Sequence, residues 1–421
     1  MPLKPLLTLL TRLKEATKIF RPSPDFREHK FVVIVAGEAS ADLHGSNLVK
    51  AMKLLNPGII FWGIGGREME RAGVKLLFSS SDMAVVGLIE VLGRLHTIVR
   101  ASKKLKSILK DRRPDLLILI DYPDFNIHIA GTARRFHVPV LYYISPQVWA
   151  WRKGRVRKIS RRVERMAVIL PFEEEFYRRR GMKVDYVGHP LLDAFECGKT
   201  NHGSFPFDFR LPTSRSHYPV VGLLPGSRKE EISNLLPVMV KATGLLCRRY
   251  PEMRCVLPLA PTIEPGFIRS FIHNTPVSIK VIQGDIYKVL SACDVALVAS
   301  GTATLDTAIM GVPMVIVYKV SLVSYWAARI MVKVPHIGLV NLVAGEEVVP
   351  ELIQHEVTAE RLAREVEIIL EDREVRINMK NKLERVKEGL GRGGASARTA
   401  RIAMKMMRRD FDEHFSKVSR R

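Results

Sequence analysis

The sequence predicts an α/β protein built from two doubly wound domains that face a cleft. Three observations predict it. From Phe31 onward, short apolar runs alternate with segments of helical periodicity, as a parallel sheet covered by helices on both faces requires. The rhythm stops over residues 193–217, where Gly198, Thr200, Asn201, Gly203, Ser204, Pro206 and Pro212 gather, and it restarts at Tyr218. The length of 421 residues exceeds one ordinary domain.

The first domain, residues 31–192, opens on the strand FVVIVAG (31–37). IIFWGIG (59–65), DLLILID (115–121), VLYYIS (140–145) and RMAVIL (165–170) follow as further buried strands, their ends carrying Gly, Pro, Asp or Ser. Residues 193–217 form a linker. The second domain, residues 218–390, repeats the scheme with YPVVGLLPGSR (218–228), RCVLPLA (254–260), VSIKVI (277–282), DVALVAS (294–300) and PMVIVY (313–318). From about residue 357 the pattern is helical and strongly basic, and residues 391–421 read as a basic helical tail. Residues 1–30 read as a basic amphipathic extension, with an acid-poor organelle transit peptide as the alternative. Arg12 and Lys14 cut their apolar run, and no small-residue cleavage site follows.

Composition narrows the function classes. With 47% hydrophobic and 26% charged residues the chain has material for a core, which excludes disorder over most of its length. Four cysteines (Cys197, Cys247, Cys255, Cys293) share no CxxC spacing, so they read as reduced thiols of a cytoplasmic protein rather than a disulfide framework. No apolar stretch is long enough to span a membrane. The net charge of +23 calls for an anionic partner: nucleic acid, anionic lipid or a phosphorylated substrate.

In open α/β sheets ligands sit at the carboxyl ends of strands, so the loops after the strands hold the candidates. The first, AGEASADLHG (36–45), reads either as a substrate-facing loop presenting Glu38 and Ser40 or as an ordinary turn capped by Ser40 or Asp42. The second, GIGGREME, places Glu68 where a dinucleotide fingerprint needs glycine, which argues against a dehydrogenase. The third strand ends in DYPDFN (121–126). Asp121, last on an apolar strand, is partly desolvated, which raises its pKa and improves it as a base. Asp124 and Asn126 are read as caps of the next helix or as site groups. In SPQVWAWRKGRVRKI (145–159), two tryptophans beside cations suit a base or an acyl chain. His189, in GHP, reads as structural.

In the second domain, LLPGSRKEEI (223–232) is a strand, a tight turn and a helix start, where Gly226, Ser227 and Arg228 can meet an anion. ASGTATLDTAIMGVP (299–313) is a second such start, with Ser300, Gly301 and Thr302 at its tip and Asp306 one turn on, placed for a ribose hydroxyl. Two anion-accepting helix starts point to a nucleoside diphosphate. Asn341, Glu351 and Gln354 are polar groups placed near the same cleft. No metal-ligand spacing and no cofactor motif is present. Val85, Leu88, Leu92, Leu95 and Val99 fall at helical spacing, and residues 94–113 carry eight Lys/Arg against one acid. That pattern reads as a surface for an anionic bilayer or, equally, as a core-facing helix with a solvated basic face.

These motifs, in order, resemble one family. AGExSxD, GLIEVLGRL (87–95), IDxPDFN, YYxSPQVWAWR, PFEEEFY, VGHPL, LLPGSR, ASGTATL and NLVAG…VPELIQ are similar to those of lipid-A-disaccharide synthases over roughly residues 31–390. The resemblance implies a GT-B glycosyltransferase, two Rossmann-like domains with the sugar nucleotide held mainly by the second. It implies an inverting transfer from UDP-2,3-diacylglucosamine to 2,3-diacylglucosamine 1-phosphate, giving a β-1,6 disaccharide and UDP, with neither cofactor nor metal. It implies Asp121 as general base, Glu38 and Ser40 on the acceptor side with Asn126, and Arg228, Asn341, Glu351 and Gln354 around UDP. A cytoplasmic protein peripheral on the inner face of the inner membrane is the expected setting, with a homodimer among the options. Ala41 replaces the usual glycine of the first loop, Asp306 stands where the family generally has a ribose-binding Glu, and residues 1–30 are an extension that the resemblance does not place. Another GT-B enzyme, such as a UDP-N-acetylglucosamine 2-epimerase, would share the UDP half without needing a lipid surface. A nucleic-acid-binding module would lack the UDP site and show steep salt dependence; no nucleic-acid partner is expected.

Overall fold

Two parallel sheets organise the chain, and in both the strand order reverses once. The computed structural model describes residues 30–83, 88–150, 154–199, 218–260, 263–273, 275–284, 286–321, 325 and 334–418. The first sheet comprises β1 (Phe31–Ala36), β2 (Ile60–Gly65), β3 (Val74–Ser79), β4 (Leu116–Ile120), β5 (Val140–Tyr143), β6 (Arg165–Val168) and β7 (Val184–Tyr186), in the order β3-β2-β1-β4-β5-β6-β7. The second comprises β8 (Val220–Leu224), β9 (Arg254–Leu259), β10 (Ile279–Gln283), β11 (Val295–Ala299), β12 (Met314–Tyr318) and β13 (Glu351–Ile353), in the order β10-β9-β8-β11-β12-β13. All ladders are parallel.

The central strands are apolar throughout because helices cover both of their faces. Val32 to Ala36, Leu116 to Ile120 and Val295 to Val298 are wholly inaccessible to solvent. Each such Val, Ile or Leu contributes about 1.5–3 kcal/mol relative to exposure. Both sheets fasten their first strand in one way. The Asp115 carboxylate, just ahead of β4, accepts the Phe31 N–H at 2.7 Å, and the Asp294 carboxylate, just ahead of β11, accepts the Val220 N–H at 2.9 Å.

The edge strands β3, β7 and β13 were not among the runs expected from the sequence. β7 and β13 have three residues each, and β3 is half-exposed beyond its first residue, so none forms an uninterrupted apolar run. Nor does Asp42 cap its own helix, Ala39–Leu55. Its carboxylate reaches forward to the N–H groups of Gly66, Glu68 and Met69, at 2.6, 3.0 and 3.1 Å, and so caps the Arg67–Arg71 helix.

The chain divides into two compact units at Asp193/Ala194 and again at Gly391/Arg392. Residues from 392 on therefore do not form a separate tail, as expected, but rejoin the first unit. Their helix, Ala395–Val418, packs against Ala39–Leu55. Asp193 was expected to open the linker. Instead its carboxylate accepts N–H groups of Gly394, Ala395 and Ser396 and caps that last helix. Residues 200–217 of the expected linker and the extension up to residue 29 lie outside the described residues.

Candidate functional site

The reversal of strand order opens a crevice at the carboxyl ends of the two strands that flank it. In the first sheet these are β1, followed by Glu38, and β4, followed by Asp121. In the second they are β8, followed by Gly226, Ser227 and Arg228, and β11, followed by Ser300, Gly301 and Thr302. Topology thus brings the expected groups together in pairs of neighbouring loops within each unit.

Asp121 is held in an unusual backbone conformation. It and Tyr122 have φ of +46° and +47°, left-handed values that cost residues with side chains on the order of 1 kcal/mol or more each. The surroundings fix them there. The Asp121 carbonyl accepts the Tyr142 hydroxyl at 2.5 Å and the Asn126 side-chain amide at 2.7 Å, and the same amide reaches the Ile120 carbonyl at 3.2 Å. The Tyr122 hydroxyl donates to the Met83 carbonyl at 3.0 Å. Its ring lies so close to Gly37 that a Cβ there would stand 2.4 Å from it, which is why the turn after β1 takes glycine. The half-buried Asp121 carboxyl is pushed up to about 6, first by burial and then by the Glu38 charge, with the Tyr122 backbone N–H opposing. Glu38, half-buried, occupies the N-cap position of Ala39–Leu55, and Ser40 is exposed in its first turn.

Asn126 does not face an acceptor. It is wholly buried and works as a strut for Asp121, since the first turn of the Pro123–Arg135 helix points it back under the end of β4. Asp124 makes no cap either; it is exposed and paired with Arg155. Removal of the Tyr142 hydroxyl isolates its own share in holding the Asp121 carbonyl. If the transfer that the resemblance implies runs at Asp121, Tyr142→Phe lowers turnover roughly tenfold or less, the scale of one lost hydrogen bond. Steady-state kinetics checks this, and unchanged turnover would show that Asn126 suffices.

Trp149 is no stacking platform. It is buried, edge-on to Phe172 at 4.9 Å between centroids, and its indole N–H donates to Glu173 at 3.0 Å. Trp151 lies outside the described residues. The sequence reading missed Glu173, which also accepts the Ser145 hydroxyl at 2.5 Å and the Leu170 and Ile169 N–H groups at 3.1 and 3.3 Å. Burial pushes its carboxyl up to about 7 against these four donors. Three successive glutamates in PFEEEFY gave no sign of which one turns inward. His189 is buried, accepts the Leu191 N–H at 3.3 Å, and is lowered by burial to about 3, in keeping with a structural role.

In the second unit Gly226 is half-buried, Ser227 and Arg228 are exposed, and Arg228 is the N-cap of the Lys229–Arg249 helix. A residue not singled out from sequence sits among them. The Glu231 carboxylate accepts the Ser227 N–H at 3.2 Å and pairs with the Arg228 guanidinium at 3.2 Å. At β11, Thr302 is exposed and Gly301 half-buried at the start of the Thr302–Ile309 helix, while the Ser300 hydroxyl donates to the Ile337 carbonyl at 3.1 Å.

The other four polar candidates face inward. Asp306 is 8% exposed and accepts the Tyr287 hydroxyl at 2.8 Å, and burial pushes it up to about 6. The expectation that it reaches a ribose hydroxyl is corrected accordingly: one turn into the helix, the side chain points at the core. Wholly buried Asn341 donates to the Val349 carbonyl and to Glu351, and it accepts the Val348 and Val349 N–H groups. Glu351 also takes the Ile337 and Gly338 N–H groups, at 2.8 and 3.0 Å. Gln354, at φ +54°, exchanges two hydrogen bonds with the Val320 backbone. These three bind backbone, and what they shape are the loops around residues 320, 337 and 348.

Of the apolar stripe, Val85 lies outside the described residues. Leu88, Leu92 and Leu95 belong to the Leu88–Asp111 helix, their side chains outside the description, and Val99 is 42% exposed. No helix among the described residues is long and apolar enough to cross a membrane, and no group of three or more His, Cys, Asp and Glu side chains among them is placed to hold a metal.

A family model described as lipid-A-disaccharide synthetase matches residues 32–405. The lipid-A-disaccharide synthase of Geobacter metallireducens is 49% identical over 379 residues, which cover 90% of this chain and 98% of that one. That of Syntrophus aciditrophicus is 46% identical over 381 residues, with the same coverage of 90% and 98%. Among solved structures, the UDP-GlcNAc 2-epimerase from Neisseria meningitidis bound to UDP-GlcNAc superposes with a TM-score of 0.60 at 14% identity, over 89% of this chain and 100% of that one. The calicheamicin glycosyltransferase CalG4 gives 0.57 at 15% identity, over 91% and 99%. At such identities the structures share the fold alone, the two Rossmann-like domains of GT-B glycosyltransferases and epimerases. The sequence match runs from β1 into the last helix and includes the loops at both reversals, so the chain belongs to the lipid-A-disaccharide synthase family, glycosyltransferases of lipid A biosynthesis.

Proposed function

We propose that the chain transfers 2,3-diacylglucosamine from UDP to 2,3-diacylglucosamine 1-phosphate with inversion, Asp121 acting as base. The observation that carries this reading is Asp121 itself: a partly desolvated carboxylate with its backbone clamped at the carboxyl end of β4. Its pKa of about 6 leaves it ionised at neutral pH yet more basic than a solvated aspartate, as general-base catalysis wants. The carboxylate takes the proton of the acceptor's 6-hydroxyl as that oxygen bonds the anomeric carbon and the bond to UDP breaks. Positive charge gathers on the sugar and negative charge on the leaving diphosphate. The second unit supplies counter-charge through Arg228 and through the N–H groups at the starts of Lys229–Arg249 and Thr302–Ile309. Asn341, Glu351 and Gln354 serve UDP indirectly, by setting the backbone of the neighbouring loops. Turnover of UDP-2,3-diacylglucosamine with the monophosphate acceptor tests the reading, with UDP-N-acetylglucosamine as control. Equal turnover of the control, or its epimerisation, would overturn it.

The acyl chains of both substrates are costly to expose to water, so the enzyme works at a membrane surface, on the cytoplasmic face where UDP-sugars are available. The stripe from Leu88 to Val99 with its basic continuation supports this part of the reading. Leu88, Leu92 and Leu95 replaced together by Ser should reduce sedimentation with anionic vesicles at high salt while leaving UDP affinity intact. A variant that unfolds instead would assign the stripe to the core.

A further inference from the structure

The first unit carries a strongly basic pocket at the edge opposite Asp121. Its volume is about 880 Å³, and it is lined by Lys106, Lys110, Arg134, Arg135, Arg161 and Arg162 together with His128. The cations come from the ends of three segments: Leu88–Asp111 before β4, Pro123–Arg135 before β5, and the turn after Arg155–Ser160 before β6. All three lead into the amino ends of their strands, whereas Asp121 leaves the carboxyl end of β4. The pocket is therefore separate from the reaction centre.

Cations commonly gather at helix carboxyl ends, where the macrodipole favours them. Two features exceed that. First, the cations gather with no acid among them, whereas several cations elsewhere in the unit sit against carboxylates: Lys30 with Asp115 at 3.1 Å, Arg165 with Asp185 at 2.5 Å, and Arg178 with Glu174 at 2.6 Å. Among the described residues the six pocket cations have no carboxylate partner. Asp111, the nearby acid on the first helix, is exposed and accepts the Ser107 hydroxyl at 2.8 Å. Second, one guanidinium is fixed in advance. Arg162 donates to the Ile127 carbonyl at 2.9 Å, and its plane lies on Gly131, where a Cβ would come within 3.1 Å of Cζ and Nε. The His128 imidazole senses the local field: burial lowers its pKa first, and the charges of Lys106 and Arg162 lower it further.

Six like charges around one hollow repel each other unless an anion joins them. We propose that this pocket is a second anion site, taking clustered phosphate groups from either a soluble oligophosphate or adjacent acidic phospholipid head groups. Guanidinium forks and flexible ammonium groups around a concave wall suit several phosphates better than one carboxylate.

The test uses the full chain with the UDP site saturated by UDP. Pyrophosphate binding is measured by calorimetry, and sedimentation is measured with mixed phosphatidylglycerol–phosphatidylcholine vesicles against phosphatidylcholine alone. The double variant Arg134→Glu/Arg135→Glu lies outside the basic stretch that continues the apolar stripe and leaves the Arg162 brace in place, and Arg162→Gln is the second variant. If the ligand is soluble, wild type binds pyrophosphate and the double variant binds it at least about tenfold more weakly, the scale of one or two charged hydrogen bonds. If it is lipid, pyrophosphate binds poorly to both, and the double variant loses the salt-sensitive part of vesicle binding. UDP affinity and turnover in detergent stay at wild-type values in either case. A double variant that matches wild type with both probes overturns the proposal.

Discussion

Asp121→Asn is expected to lower turnover by about a hundredfold or more while making the protein more stable at neutral pH. The first effect follows from loss of the group proposed to take the acceptor's proton. The second follows from pKa. The carboxyl ionises near 3.8 when solvated and at about 6 in the fold, so ionising it inside the protein is disfavoured. The contribution of Asp121 to stability is full below pH 3.8 and is lost as pH rises through 6. That loss is on the order of 3 kcal/mol above pH 7. Asparagine does not ionise and escapes it. Urea unfolding at pH 8 should place the variant above wild type, with the gap closing towards pH 4. Wild-type turnover should rise through pH 6 and level off. Near-normal turnover of a folded Asp121→Asn variant would move the role to Glu38, the neighbouring carboxylate across the β1–β4 pair.

Arg228→Ala is expected to weaken UDP binding by about ten- to a hundredfold and to slow transfer, as the loss of a charged fork on a diphosphate would. The residue is half-exposed at a helix start, so its removal has little effect on folding. Arg228→Lys should recover only part, because an ammonium offers no bidentate pair. Glu231 makes the test sharper. Its carboxylate competes for the same guanidinium and for the Ser227 N–H, so Glu231→Gln should bind UDP severalfold more tightly. EDTA should leave wild-type rates unchanged if protein groups supply the counter-charge; inhibition reversed by a divalent ion would defeat that assignment. UDP affinity by calorimetry and single-turnover rates separate the two effects of each variant.

The central strands were readable because both of their faces are buried, which leaves uninterrupted apolar runs such as Leu116–Ile120. Three-residue edges like β7 leave no such trace. The position of Asp121 was readable for the same reason, as the first polar residue after a buried strand. Its clamp was not: Tyr142 looks like any other core residue of β5, and only the fold brings its hydroxyl to the Asp121 carbonyl. Direction was the weakest inference. Asp306 lies one turn past the β11 loop, whereas Asn341 and Gln354 bind backbone beside β12 and β13, and spacing along a helix or loop does not say which side chain turns inward. Glu173, Glu231 and Asp193 each act on backbone brought near by the turn or by distant parts of the chain, beyond what local pattern reports.

The return of the last helix to the first unit sets an order of events during synthesis. Ala194–Gly391 is one continuous stretch, so the second unit has all its strands once residue 391 has emerged from the ribosome. The first unit begins earlier and finishes later. Its Ala39–Leu55 helix waits, with one flank uncovered, for the Ala395–Val418 helix, whose inward face carries Ala400, Ala403, Met404 and Met407. The Asp193 carboxylate likewise has no backbone to hold until Gly394 arrives. A nascent chain stalled after Gly391 would thus carry a finished second unit beside an unfinished first one, with apolar surface that a chaperone or protease would recognise. Trimming the last helix should therefore damage the half of the molecule that was made first.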